Sequence, residues 1–235
     1  MTEFPMTKVR RALPRECLAR AFATVMVGFA LSANAQGPGS VVGTYDYYAA
    51  AASPQTLQTL KNVESFHIEP GRDRMKKRNY PGALQDFEFI LNYFPNHPIA
   101  LALVSDLCDL NWKSPQCDPE PYFERAFQIN PKAAQTWAVY GLHLQRIKSN
   151  DKAIDAYKRS LALNPASMNA HYNLGLAYVD LKRFDLANQH AQAAYALGYP
   201  LPGLKDKLVR AGQWKDLPRD AVDRLIAPAE GTERP

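Results

Sequence analysis

Long apolar runs are missing from this 235-residue sequence. The longest, "AFATVMVGFAL" at 21–31, is about half of the roughly 20 residues that a helix needs to span a bilayer. Histidine is sparse as well. Its five copies stand apart, with no H-x3-H or H-E-x-x-H pair, so no metal-ligand spacing is present. There is no G-x-S-x-G elbow, no glycine-rich phosphate loop and no catalytic grouping of carboxylates, which leaves no enzyme motif and no cofactor motif. Cysteine is limited to three residues, none in a lipobox-like L-x-x-C before a cleavage point. What the sequence does hold is core-forming material. Hydrophobic residues make up 46% and aromatics 11%, the composition of a folded chain and not a disordered one.

A net charge of +5 and a pI near 9.0 would suit a nucleic-acid partner, but the excess sits at the start of the chain. Residues 1–20 carry Lys8, Arg10, Arg11, Arg15 and Arg20; the apolar run follows, then "SANA" with Ala33 and Ala35. A basic n-region, a short apolar h-region and an Ala-x-Ala end are the three parts of a secretory signal peptide. Cleavage is expected after Ala35, which predicts a periplasmic protein; an uncleaved amphipathic anchor is the alternative. Taking those five basic residues, and the acidic Glu3 and Glu16, from the chain's 28 and 23 leaves 23 and 21. So balanced a mature chain argues against nucleic acid as a partner, and it holds no membrane span. Cys17 leaves with the signal. Cys108 and Cys117 remain, and an even pair in an exported protein reads first as a disulfide. Free thiols and a redox or metal role are the alternatives, although C-x8-C is not the C-x-x-C spacing that tunes thiol pKa.

An internal period organises the rest. Gly141 and Gly175 are 34 residues apart, and so are Ala153 and Ala187, Phe123 and Tyr157, and Pro131 and Pro165. That offset gives units at 64–97, 100–133, 134–167 and 168–199, with two extra residues after the first. Within "NAHYNLGLAYVDL", Leu174, Ala177, Tyr178 and Leu181 form the i, i+3, i+4, i+7 stripe of an amphipathic helix. Gly175 and Ala187 are expected to mark the close approach of two paired helices, as are Gly141 and Ala153. "LPGLKDKLVRAG" reads as a capping helix within 200–214, with Leu204 and Leu208 covering the last pair and Gly212 as its stop. "SPQTLQTLKNV" begins with an N-cap, Ser53, and Pro54 at the first helical position. It lies in a linker and possible N-terminal capping helix over 36–63, and 215–235 reads as a tail.

These residues resemble the tetratricopeptide-repeat (TPR) family. Its pattern is carried by Trp137, Tyr140, Gly141, Leu144, Ala153, Tyr157, Ser160 and Pro165 in one unit and by His171, Leu174, Gly175, Tyr178, Ala187 and Ala194 in the next. The last unit departs from it with Ala191 in the aromatic place, and the unit at 100–133 with Leu107 in the place of the glycine. The wording of the chain also looks like a group of exported proteobacterial repeat proteins. The resemblance implies an all-α, right-handed superhelical solenoid of helix-turn-helix units that binds a protein or peptide along its concave, helix-A face. Carried over by position, the groove residues are Asn169, Tyr172, Asn173, Leu176 and Asp180 in the last unit, and Leu142, Gln145 and Arg146 in the one before. The unit at 100–133 offers Leu101, Val104, Ser105, Cys108, Asn111 and Trp112. Asn173 stands where peptide-binding members use an asparagine against ligand backbone. Its counterparts Ser105 and Val139 do not reproduce a carboxylate clamp. The basic stretch "GRDRMKKR" at 71–78 reads as a solvated face, with an anionic partner as the alternative.

The expectation is therefore a non-catalytic periplasmic scaffold or adaptor without a cofactor. The alternatives are an accessory subunit of an envelope assembly, secretion or cytochrome-maturation complex, and a thiol-dependent redox or metallochaperone helper using Cys108 and Cys117.

Overall fold

The computed structural model describes residues 44–110, 112 and 117–228. The expected signal peptide, Asn111 and residues 229–235 lie outside that range. After a 3-10 turn at Tyr47–Ala52 come α1 (Pro54–Lys76), α2 (Tyr80–Tyr93), α3 (Pro98–Asp109), α4 (Glu120–Ile129), α5 (Ala134–Arg146), α6 (Asn150–Leu163), α7 (Met168–Asp180), α8 (Phe184–Ala196), α9 (Gly203–Arg210) and α10 (Arg219–Ile226). The described residues are all-helical, without a strand. Helices α1–α2, α5–α6 and α7–α8 close as hairpins, and the stack runs in chain order, α2 on α3 and α6 on α7.

Local chemistry sets the helix ends. Ser53 accepts the N–H of Thr56 at 3.3 Å with Pro54 at the first helical position, and Ser167 does the same for Ala170 at 3.3 Å. Three hairpins turn from the first helix to the second through a residue at positive φ: Arg78 at 60°, Lys148 at 62° and Lys182 at 57°. In each, the next N–H reaches back to the helix, as Ser149 does to the Leu144 carbonyl at 2.8 Å. This is a Schellman-type stop that holds a non-glycine residue at a cost of about 1 kcal/mol.

The second hairpin is built differently. Helices α3 and α5 begin 36 residues apart, at Pro98 and Ala134, whereas α5 and α7 begin 34 apart, at Ala134 and Met168. The two extra residues thus lie inside the second unit, in the connection from α3 to α4, and not after the first unit as expected. This shifts the register of α3 by two. Ser105, not Leu107, takes the place of Gly141, and Leu101 and Val104 become core residues, each 1% exposed. Helices α3 and α4 stay apart along most of their length, and the Cys108–Cys117 disulfide joins them across that connection, with Cα atoms 5.2 Å apart.

In the closed hairpins a small residue on the first helix faces a large one. A Cβ on Gly71 would lie 2.4 Å from Phe87 Cε1, and one on Gly141 2.6 Å from Tyr157 Cε1. The contact of Gly141 is therefore with the aromatic one turn beyond Ala153. In the last hairpin the aromatic place is Ala191, and the room it leaves is filled from the cap: a Cβ on Gly175 would meet Leu204 Cδ2 of α9 at 2.5 Å and the Ala187 carbonyl at 3.3 Å. Leu204 and Leu208 are fully buried, and Gly212 ends α9 at φ 67°.

At both ends the described residues depart from the expected linker with a possible capping helix over 36–63 and tail over 215–235. Helix α1 runs unbroken across residue 64, so 54–63 extends the first helix by about 15 Å at 1.5 Å per residue. Ahead of it, Asp46 accepts from Asn96 Nδ2 at 2.6 Å and from Asn130 Nδ2 at 2.9 Å, Tyr45 N–H donates to the Tyr93 carbonyl at 2.7 Å, and Tyr48 meets Thr136 Oγ1 at 3.2 Å. This strap ties the connections of successive hairpins together. At the other end, Asn188 and Gln192 hold the Lys215 carbonyl at 2.7 and 2.8 Å. They direct the chain back so that α10 lies on α8 with Val222 buried. Its apolar stripe, Val222, Leu225 and Ile226, is too short to stand out in the sequence.

The two glycine contacts predict unequal outcomes. Gly141→Ala pushes on a fully buried ring and is expected to lower stability by about 1–3 kcal/mol despite alanine's better helix propensity. Gly175→Ala pushes mainly on the flexible tip of Leu204, with the Ala187 carbonyl 3.3 Å away, and is expected to cost less, about 1 kcal/mol or under. Urea unfolding of the two variants checks the order.

Candidate protein-binding surface

The helix-A face is built by α3, α5 and α7, and the register of each helix decides what it shows. On α7, Asn169 and Asp180 are exposed, and Asn173 and Leu176 are half-buried. Tyr172 is not available there. It is 8% exposed, because the turn leading into α9 lays Tyr199 flat on its ring at 3.9 Å between centroids. On α5, Leu142 is half-buried, and Gln145 bridges two partners: it accepts from Tyr157 Oη at 3.1 Å and donates to Asp180 Oδ2 at 3.2 Å. Leu142, Gln145, Asn169, Asn173, Leu176 and Asp180 thus share one surface.

Arg146 is already committed to α3. It forms an ion pair with Asp106 and donates to Ser105 Oγ at 3.3 Å. Burial raises the Asp106 pKa, and the Arg146 guanidinium opposes that. The two-residue shift in α3 explains what sequence reasoning missed here: Asp106, not Cys108, takes the groove position of Leu142 and Leu176, and Leu103, not Ser105, that of Asn173. Ser105 is 2% exposed and faces His143 Nδ1 at 3.0 Å. His143 Nε2 lies 3.6 Å from Glu120, which also accepts from Tyr140 Oη at 3.0 Å. Every member of this set is occupied by another, so it braces α3 and α4 against α5. Trp112 leaves the groove altogether and packs on Tyr80 at the start of α2, 5.7 Å between centroids. A cleft of about 170 Å³ remains beside the disulfide, between Cys108, Cys117, His143 and Arg146.

The basic stretch at 71–78 is largely paired: Arg72 with Glu69 at 2.6 Å, Arg74 with Asp86, and Lys77 with Asp73 at 2.7 Å. Among the described residues no three His, Cys, Asp or Glu side chains converge on a metal-sized point. No described helix is long and apolar enough to cross a membrane.

His97, His143 and His171 are buried and His190 is half-buried, and all four have pKa values lowered mainly by desolvation. His97 is lowered against the pull of Glu64 at 2.9 Å, and His143 against that of Glu120. His171 donates from Nε2 to the Pro165 carbonyl at 2.9 Å, which leaves its Nδ1 to accept from His190 Nδ1 at 2.9 Å. Burial, with help from His171 and Lys158, brings His190 down to about 3.

Comparison with known proteins agrees with this architecture. Residues 148–182 match the family model described as TPR repeat. A peroxisomal targeting signal receptor of Candida glabrata is 29% identical over 75 residues, which is 32% of this chain and 13% of that protein. Protein bimA of Emericella nidulans is 33% identical over 72 residues, 31% of this chain and 9% of that one. The chain therefore spans only about an eighth or less of these relatives. Among solved structures, pilF of Pseudomonas aeruginosa shares the fold at a TM-score of 0.51 and 16% identity, over 71% of this chain and 75% of that one. Residues 148–182 are thus a tetratricopeptide-repeat match, and the described residues share the all-helical solenoid fold of such repeats.

Two outcomes follow from the site. The disulfide closes a loop of about 10 residues, so Cys108→Ser with Cys117→Ser, or reduction, is expected to lower stability by about 2–3 kcal/mol. Equilibrium unfolding with and without reductant measures it. His97, His143, His171 and His190 stay neutral when folded but take up protons near pH 6.5 when unfolded. Stability is therefore expected to fall as pH drops from about 7 to 5. His190→Gln is expected to flatten that dependence in urea midpoints measured across the range.

Proposed function

We propose that this tetratricopeptide-repeat solenoid is a periplasmic, non-catalytic scaffold that holds a protein segment on its helix-A face. The observation that carries the reading is the surface on α5 and α7. Leu142 and Leu176 form a half-buried apolar strip, edged by Gln145, Asn169, Asn173 and Asp180. An apolar strip with hydrogen-bonding edges suits an extended segment or one face of a helix, bound by a few buried side chains and oriented by polar contacts. Asp109 and Asp180 are exposed at its borders, and the Arg146 charge is taken up by Asp106. The local field therefore favours a segment with Lys or Arg beside its apolar residues.

The periplasmic location rests on the signal-peptide pattern of residues 1–35 and on the bonding of the two cysteines that lie outside it. The folded repeats are the kind of surface that envelope assembly or secretion uses to bring proteins together.

Affinity capture from envelope extract, followed by binding of the recovered partner, tests this. Leu142→Ala with Leu176→Ala, and Asp180→Lys separately, are each expected to weaken that binding about tenfold or more while leaving the helical circular dichroism unchanged. Binding that survives both variants would count against the helix-A face. Recovery of the unprocessed chain from the cytoplasm would count against the location.

A further inference from the structure

Helices α9 and α10 repeat the hairpin register in shortened form. They begin at Gly203 and Arg219, each 35 residues after the starts of α7 and α8 at Met168 and Phe184. Each has 8 residues where α7 and α8 have 13, and residues 211–218 connect them where only 181–183 connect α7 to α8. The short pair does not close along its length as α7 and α8 do. A cavity of about 560 Å³ opens instead between the end of α8, the start of α9 and the start of α10. That volume is in the range that holds a small ligand.

Its wall is aromatic and apolar: Tyr195 and Tyr199 from α8 and the turn after it, Trp214 and Leu217 from the connection, and Val222 from α10. The rings are set before anything binds. Tyr195 Oη donates to the Leu201 carbonyl at 3.1 Å and accepts the Lys205 N–H at 3.0 Å. Trp214 Nε1 donates to Asp216 Oδ1 at 3.1 Å, and Tyr199 rests on Tyr172. Two cations complete the lining, Lys205 and Arg219, and no Asp or Glu takes part in it. Lys205 Nζ lies 4.8 Å from the centre of the Trp214 ring and forms no ion pair among the described residues. Arg219 gives Nε to Asp223 at 2.9 Å, while its two terminal nitrogens make no hydrogen bond to a described residue. The cleft between α5 and α6 differs in this respect, since Asp155 lines it together with Lys152 and Arg159.

We infer that this cavity binds a small aryl carboxylate, one or two fused rings bearing a single carboxylate. Trp214, Tyr195 and Tyr199 offer a flat apolar body aromatic partners in offset or edge contact. Lys205 and the spare nitrogens of Arg219 offer the anion charge-assisted hydrogen bonds. With Arg219 paired to Asp223, the lining carries one uncompensated positive charge, which matches a monoanion better than a phosphate dianion. A neutral ring would leave Lys205 without a counter-ion, and a bare anion would leave the aromatic wall in water. Because the wall is already ordered, binding does not have to fix it. The cavity shares no residue with the strip on α5 and α7, so the inference stands or falls apart from the proposed function.

Isothermal titration of the full chain with 2-naphthylacetate and phenylacetate tests it. Saturable one-to-one binding of 2-naphthylacetate is expected, with Kd below about 1 mM. The amide, 2-naphthylacetamide, keeps the rings and loses the charge, and is expected to bind at least about fivefold more weakly. Lys205→Gln, at an exposed position, is expected to weaken the acid at least about fivefold and leave the amide unchanged. Trp214→Leu is expected to weaken both. Should Trp214→Leu lose helical circular dichroism, the Lys205→Gln comparison of acid with amide decides by itself. No saturable binding of either acid up to about 5 mM would overturn the inference. So would equal affinity for acid and amide, or acid binding that Lys205→Gln leaves intact.

Discussion

Everything in this solenoid depends on how closely two helices of a hairpin can approach. Gly71 lies under Phe87 and Gly141 under Tyr157, at distances that leave no room for a methyl group. The glycine weakens its own helix, but it lets a buried ring sit across the crossing, and the area removed from water outweighs the loss. The hairpin that results has an uncovered apolar side, so it must stack, and stacking produces the continuous helix-A face. Repeat stability of this kind is passed between neighbours. An exception to the contact must therefore be made good locally.

Two exceptions show how. In the last hairpin Ala191 stands where the ring would be, and Leu204 of α9 fills the space over Gly175. The cap is thus a packing partner as much as a cover. In the second hairpin two extra residues enter the connection between α3 and α4, and the helices part. A covalent bond, Cys108–Cys117, and a buried polar set running from Arg146 through Ser105 and His143 to Glu120 hold that region together. The same rearrangement that loosens one hairpin therefore places Asp106 beside Arg146 and takes up the Arg146 charge.

The two ends of the stack are finished unequally. At the C-terminal end, α9 and α10 leave polar residues outward over buried Leu204, Leu208 and Val222. At the N-terminal end the strap around Asp46 secures the connections between hairpins but leaves Phe66 and Phe89 open. An apolar end on a repeat array is a stacking surface without its neighbour.

The sequence by itself determined the repeat. The 34-residue recurrence of Gly141 with Gly175 and of Tyr157 with Phe123 specifies hairpins, their order and the capping role of Leu204, because periodic burial leaves a periodic trace. It also brought Leu142, Leu176 and Asn173 to one face, since residues on one helix stripe point the same way. Only the tertiary structure decided where the two extra residues go, and with them the fate of Leu101, Val104 and Ser105, since an insertion shifts a register without altering the pattern on either side. Tertiary contacts also closed Tyr172 under Tyr199 and turned Arg146 to Asp106. Those contacts join residues from different units, and a spacing rule carries no information about which distant side chain will arrive to cover a position.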